Sequence, residues 1–235
     1  MTVDLNCDMG ELEDAALEER LMEVVTSANV ACGGHAGGEA AMERTVRLAL
    51  AAGVAVGAHP GYPDRAHFGR VEMPLTAEEI ARTVHEQVAA LAAVAERLGA
   101  CVVHVKPHGA LYNVAAKNAG VAEAIACGVA RWHAGVVLVG LAGSRMLEVW
   151  NGMGFRTAAE AFADRRYEPD GTLRPRTLPG ALITEPEEAA AQAAALAARA
   201  RTICIHGDTP GAVPIARAVA EALRRAGIRV AALAQ

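Results

Sequence analysis

Short apolar runs alternate with longer segments of helical spacing along the whole chain. Residues 2–8, TVDLNCD, place Val3, Leu5 and Cys7 on one face and Asp4, Asn6 and Asp8 on the other, the period-two pattern of a strand with one polar face. Residues 12–26 follow with Leu17, Leu21 and Val24 or Val25 at helical spacing. A short apolar strand at 28–32 runs into the flexible GGHAGGE, and a helix over about 40–52 stops at Gly53. The next strand begins at Val54 and breaks at His59-Pro60-Gly61. The loop after it, 61–74, is longer than the ~4–6 residues usual for such connections and carries Tyr62, Asp64, Arg65, His67, Phe68 and Arg70. Thr76 and Glu79 form a capping box ahead of a long stripe, Ile80, Val84, Val88, Leu91, Val94 and Leu98, which ends at Gly99.

The segment 101–113, CVVHVKPHGALYN, opens as a β-branched strand and sets His104, Lys106 and His108 at alternate positions, so all three leave one face. Pro107 cannot donate to a ladder and Gly109 tolerates unusual backbone angles, which predicts that the strand stops there and presents its last side chains at an edge. A helical segment over about 114–132, a buried strand at 136–140, a short helix at 144–150 and an Ala-rich strand at 156–163 continue the alternation. An irregular stretch containing DGTLRPR leads to an Ala-rich helix that Thr184 and Glu187 are positioned to cap. A strand at 202–208, a helix at about 213–226 and a weak eighth strand, RVAALA, close the chain. Seven or eight strand–helix pairs without a break in composition predict one α/β domain over residues 1–235, a barrel of parallel strands, with an open doubly wound sheet second.

Composition sharpens this picture. The chain has 235 residues, a length that suits a single α/β barrel, and its 53% hydrophobic content is largely Ala spread through helical segments. No apolar run approaches the ~20 residues of a membrane span, and the opening MTVDLNCDMGE lacks the basic-then-apolar pattern of a signal peptide. Five cysteines, without any CxxC pair, argue against a disulfide framework and a thiolate zinc site, so the cytoplasm is the expected compartment. A formal charge of −5 with no basic cluster argues against a nucleic-acid surface. Only Lys106 and Lys117 are lysines; Lys117 reads as a solvated helix residue, whereas Lys106 ends a strand, where a compact ammonium that responds to burial has a use arginine cannot fill.

In parallel α/β folds, chemistry gathers where strands end. Five of the eight histidines, His35, His59, His104, His108 and His206, fall at or beside predicted strand ends, with Asp8, Asp64, Asp164 and Asp208 in the same layer. Three chemistries are open to such a layer. His35 and His59 with an Asp from the first strand could hold a divalent metal, although no compact ligand spacing supports it. Asp and His could act as general base and acid while Lys106 and an arginine hold an anionic substrate, the preferred reading. Cys32 near His35 could be a nucleophile, but its place inside a strand favours a core thiol. No P-loop and no G-x-G-x-x-G follows a strand, so the chain offers no evident nucleotide cradle.

With these residues in view the chain resembles the LamB/YcsF family. The resemblance rests on DLNCDMGE (4–11), SANVACGGHAG (27–37), GAHPGYPD (57–64) with FGR (68–70), VKPHGALYN (105–113), EAFADRRY (160–167) with DGTLRPR (170–176), and HGD (206–208). It implies a distorted β/α barrel like those of the glycoside hydrolase/deacetylase superfamily. It also implies the A component of a bacterial ATP-dependent 5-oxoprolinase, which opens 5-oxo-L-proline to L-glutamate together with subunits B and C, ATP being a co-substrate of the complex. On this resemblance Asp8, Lys106, His108, His206 and Asp208 are the expected catalytic groups. Asn6, His59, Tyr62, Arg70, Asp164 and Arg165 are expected to bind substrate. Two positions depart from the family pattern: Gly34 and Gly38 stand where CGFHAGD has Phe and Asp, and the segment after Glu11 looks shorter than usual. The competing readings are a metal-dependent deacetylase that needs no ATP and a non-catalytic lactam- or sugar-binding regulatory protein.

Overall fold

A computed structural model describes residues 1–233. Seven parallel strands form a closed barrel: β1 (Thr2–Met9), β2 (Ser27–Ala31), β3 (Ala55–His59), β4 (Val102–Val105), β5 (Val137–Leu141), β6 (Arg156–Phe162) and β7 (Thr202–His206) pair in chain order, and β7 returns to β1. An eighth strand, β8 (Arg229–Val230), pairs only with Thr2 and Val3 and takes no part in closure. The weak C-terminal strand is thus two residues long; position 234 of the RVAALA segment lies outside the described residues.

Among the described residues eight helices cover the barrel: α1 (Ala15–Met22), α2 (Glu39–Ala52), α3 (Ala77–Arg97), α4 (Gly109–Ala115), α5 (Ala119–Trp132), α6 (Arg145–Gly152), α7 (Pro186–Leu196) and α8 (Ala212–Arg225). The capping box at α3 is formed as the spacing predicts, with Thr76 accepting from the Glu79 amide and Glu79 reaching back to the Thr76 amide. Two expectations are corrected. The single helix expected over 114–132 is divided into α4 and α5 at a turn where Asn118 caps α5, accepting from the amides of Gly120 and Val121. The predicted Thr184–Glu187 box does not form; α7 begins instead with Pro186 in its first turn, where a missing N–H costs nothing.

The polar face of β1 points into the barrel. Val3, Leu5 and Cys7 are fully buried, as part of the main hydrophobic core. Asp4, Asn6 and Asp8 are buried too, but each is hydrogen-bonded, as burial of polar groups demands. Asp4 accepts from the hydroxyls of Thr26, Ser27 and Thr202, and burial raises its carboxyl pKa against those bonds. Asn6 donates to Glu160 and Thr202 and accepts from Asn29 and Lys106. Register carries this polar column upward: Asp8 lies level with Asn29 of β2 and His206 of β7.

Candidate active site

At the carboxyl ends of the strands a cavity of about 910 Å3 opens, lined among others by Asp8, Lys106, Tyr112, Arg165, Arg176 and His206. Lys106 follows β4, which stops at Val105 before Pro107 as expected. Gly109 then takes a left-handed backbone (φ +53°), and a Cβ there would come within 2.6 Å of the Gly69 carbonyl oxygen, so the turn into α4 requires glycine. Lys106 is 2% exposed. Its ammonium donates to Asp8 Oδ1 at 2.8 Å and to Cys204 Sγ at 3.1 Å, and lies 3.1 Å from Glu160 Oε1. Burial disfavours both charges, yet Asp8 holds the Lys106 pKa well above its usual range, while His59 and Lys106 hold Asp8 well below the carboxylate range. Both groups are therefore ionised.

Beside this pair stands a histidine with a free edge. His206 Nδ1 lies 2.9 Å from Asp164 Oδ1, and Asp164 also accepts from the His206 amide and the Thr209 hydroxyl. Asp164 is fully buried, and although burial opposes ionisation, His206 keeps its pKa below the usual value. A carboxylate accepts only, so Nδ1 carries the proton and Nε2 is the ring nitrogen left facing the cavity wall, 4.0 Å from Asp8 Oδ2. Phe162 stacks on the ring at 5.5 Å and fixes its plane.

Positive charge gathers at the cavity from the segment between β6 and α7 and from the loop between β3 and α3. Arg70 and Arg176 both donate to Asp208 Oδ2, and Arg165 donates to the Arg174 carbonyl. Arg165 is 5% exposed and its Nε has no partner. Burial, with Arg176 beside it, brings the Arg165 pKa down to about 10. One carboxylate, Asp208, thus pairs with two of the three guanidiniums and leaves Arg165 without a carboxylate partner, an excess of positive charge suited to an anion.

The expected residues divide accordingly. Asp8, His59, Lys106, His108, His206, Arg70 and Arg165 line the cavity. Asn6 lies one layer below, holding Lys106; Asp164 orients His206; Asp208 pairs with arginines. Tyr62 is a correction: it is 1% exposed within the core and does not reach the cavity, because its loop folds inward where Gln87 bonds both backbone groups of Gly61. His108 has both ring nitrogens engaged, Nδ1 facing His59 and Nε2 facing the Phe68 carbonyl, which leaves no donor for a developing oxyanion. His104 is buried, its Nε2 donating to Asn29 and its pKa lowered by burial to about 3, so the three basic groups on one face are a neutral, a charged and a second neutral side chain. Room for it comes from Gly57, where a Cβ would lie 2.0 Å from His104 Nε2. Cys32 is a core thiol, its pKa pushed up to about 12 by burial. Lys117 sits in the turn between α4 and α5 and borders the cavity.

Sequence reasoning missed Glu11, Tyr112, Glu160 and Arg176. Glu160 could have been found: it is a lone acidic residue in the Ala-rich strand TAAEAF. It accepts from Tyr112 Oη at 2.8 Å and from Asn6. Glu11 lies in the β1–α1 loop, 2.9 Å from His35 Nε2, 3.2 Å from His108 Nδ1 and 3.7 Å from His59 Nε2. Burial opposes its ionisation and is more than offset by His108 and His35, which hold its pKa well below the carboxylate range. The expected metal pair His35 and His59 therefore meets Glu11 and His108, while Asp8 is engaged by Lys106.

The sequence pattern of the LamB/YcsF family matches residues 3–235. The chain belongs to this family. A LamB/YcsF relative from Methylococcus capsulatus, named as the A component of 5-oxoprolinase, is 49% identical, with 99% of this chain and 96% of the relative covered. The crystal structure of a lactam utilization protein from Thermus thermophilus superposes with a TM-score of 0.91 at 44% identity, covering 99% of this chain and 100% of that one. A family 4 carbohydrate esterase from Streptomyces lividans has the same fold at a TM-score of 0.54 and 14% identity, over 99% of this chain and 93% of the esterase. The LamB/YcsF barrel is thus the distorted seven-stranded variant expected from the sequence. Among the described residues no helix is long and apolar enough to cross a membrane.

Proposed function

We propose that this chain is the ring-opening component of an ATP-dependent 5-oxoprolinase, hydrolysing the lactam of 5-oxo-L-proline to L-glutamate in a complex with subunits B and C. The observation that carries this reading is the Asp164–His206 pair, which engages Nδ1 and leaves Nε2 facing the cavity that the Lys106 ammonium also lines. The names of the relatives, a 5-oxoprolinase component and a lactam utilization protein, support the substrate class.

The chemistry follows from the charges. Arg165, with Arg70 and Arg176, takes the substrate carboxylate, and the lactam carbonyl lies toward Lys106. His206 Nε2 accepts a proton from water as the water oxygen bonds to the carbonyl carbon, and Asp164 stabilises the imidazolium. Negative charge developing on the carbonyl oxygen meets the Lys106 ammonium, already fixed by Asp8 and Glu160 and so requiring little reorganisation. The proton then passes from His206 to the ring nitrogen as the C–N bond breaks, releasing the amine and carboxylate of glutamate. A lactam is a poor electrophile, and the chain carries no P-loop or G-x-G-x-x-G sequence. Activation of the carbonyl by ATP is accordingly assigned to the partner subunits.

The test is glutamate release from 5-oxoproline by this chain with and without subunits B and C and ATP. Release only with all components supports the reading. Release by the chain alone would instead make it an ATP-independent amide hydrolase, and 5-oxoproline binding without turnover in the complete mixture would make it a regulatory protein.

A further inference from the structure

The catalytic wall holds one accepting oxygen that the fold leaves half-used. Asp8 Oδ1 accepts twice, from Lys106 Nζ and from Asn29 Nδ2, both at 2.8 Å. Asp8 Oδ2 has one close side-chain donor among the described residues, His59 Nε2 at 3.3 Å. That donor is shared. His59 Nδ1 is engaged by the Lys106 carbonyl, so one proton on Nε2 serves both His108 Nδ1, at 3.0 Å, and Asp8. An ionised carboxylate offers about four lone-pair positions, which leaves Oδ2 with one open. Asp8 lines the cavity, and His206 Nε2 stands 4.0 Å from this oxygen at the same wall.

We propose that Asp8 Oδ2 accepts the ring N–H of the substrate, so that Asp8 and Lys106 together read the N–H and C=O edge of an unsubstituted lactam. The proposal deepens the ring-opening reading and rests on it for the direction of the lactam carbonyl, toward Lys106.

That edge is chemically distinctive. An open-chain secondary amide is trans and sets its C=O and N–H on opposite edges. A five-membered ring forces the cis form and puts acceptor and donor side by side. The protein offers the complement: an ammonium and, bonded to it through Oδ1, a carboxylate whose second oxygen only accepts. Such a pair suits a lactam and not the open-chain acetamide that a deacetylase cleaves. Lys106 also has a proton to redirect. Beyond Asp8 and Glu160 its contacts are Cys204 Sγ at 3.1 Å, a weak acceptor, and Asn6 Oδ1 at a long 3.3 Å, and a carbonyl oxygen competes with both.

The same geometry disfavours a lactone, whose ring oxygen would set one acceptor against another at Oδ2. It also favours the forward reaction. Asp8 is held in place by its two bonds at Oδ1 and by the register of β1 between β2 and β7. As the ring nitrogen takes its proton and the C–N bond breaks, an amide N–H bond to Oδ2 becomes a bond from an amine that carries more positive charge. An interaction that strengthens along the reaction lowers its barrier, so Asp8 both selects the substrate and stabilises the leaving nitrogen.

The experiment titrates the full chain alone, by calorimetry, with 5-oxo-L-proline, its N-methyl derivative and the γ-lactone in which oxygen replaces the ring N–H. Without ATP or partner subunits the readout is binding, separate from glutamate release. The wild-type chain should bind 5-oxoproline roughly tenfold or more tightly than either analogue. Asp8→Asn gives the sharper comparison. Lys106 and Asn29 both donate at Oδ1, so the amide oxygen stays there and the NH2 group takes the place of Oδ2, presenting a donor where the wild type presents an acceptor. The ratio of lactam to lactone affinity should then fall by roughly tenfold or more, whereas a merely structural defect would weaken both ligands and leave the ratio unchanged. Equal binding of lactam and lactone by the wild type, no binding of 5-oxoproline, or an unchanged ratio in Asp8→Asn would overturn the proposal; if the variant does not fold, the wild-type ratios decide. Selective lactam binding without glutamate release in the complete mixture would remove the ring-opening reading and keep this one. Glutamate release beside equal lactam and lactone binding would do the reverse.

Discussion

The Lys106 ammonium is tightly constrained from several sides. It is buried with Asp8 and Glu160 around it, and a buried pair broken by removal of one partner typically costs about 3–5 kcal/mol. Lys106→Met should therefore lower the stability of the chain by that order in urea unfolding. Adding Asp8→Asn should recover a substantial part, because the uncompensated carboxylate is then gone; equal and additive losses in the two single variants would remove the basis for treating them as a pair. The sequence made Lys106 visible, as one of two lysines in an arginine-rich chain, and its strand-end position was legible from Pro107 and Gly109. Its partners were legible only in part. Asp8 stood out at the end of the first strand, but Glu160 is separated from Lys106 by 54 positions (160 − 106) and meets it only because the barrel closes.

At the scale of elements, strand–helix alternation carried nearly all of the architecture, because period-two and helical patterns reflect which face of each element is buried. It failed where local chemistry competes with pattern. The apolar stripe runs on through residues 114–132, yet Asn118 caps a new helix inside it, and Pro186 displaces the predicted cap of α7. The α3 capping box was read correctly, and it provides a stability change remote from the catalytic groups. Thr76→Ala removes the acceptor for the Glu79 amide and should cost about 1 kcal/mol in chemical unfolding while leaving turnover per folded molecule unchanged. The loop following β3 illustrates the opposite limit: its length signalled function, but the inward turn at Tyr62 is fixed next door at Gly61 by Gln87, far along α3, and Arg70 is held by Asp208 after β7.

For the whole molecule, the ring of strand ends gathers charges that titrate together. Asp164 has a folded-state pKa below its usual value, so it contributes stability above the unfolded pKa of about 3.9, and that contribution is lost as pH falls through the folded value. Urea midpoints should accordingly decline from about pH 6.5 downward, because buried His104 stays neutral to about 3 in the folded chain while the unfolded imidazole protonates near 6.5, and should fall further below about 4 as Asp164 is protonated; Asp164→Asn should show a shallower fall in that lower range than the wild type. An unchanged acid slope in that variant would mean that Asp164 is not held ionised by His206. Fold and family were legible from the sequence because successive motif blocks lie at strand ends. The Glu11, His35, His59 and His108 cluster was not, because its members are joined by barrel closure rather than by any short ligand spacing.

The central claim is that His206 moves the proton while Lys106 meets the oxyanion. It is tested most directly by glutamate release from 5-oxoproline in the reconstituted mixture of this chain, subunits B and C and ATP, comparing wild-type chain with His206→Ala at matched folded concentration. The account predicts that kcat falls by about 10²–10⁴-fold in the variant while the protein still folds and joins the complex. Wild-type kcat in His206→Ala would contradict it.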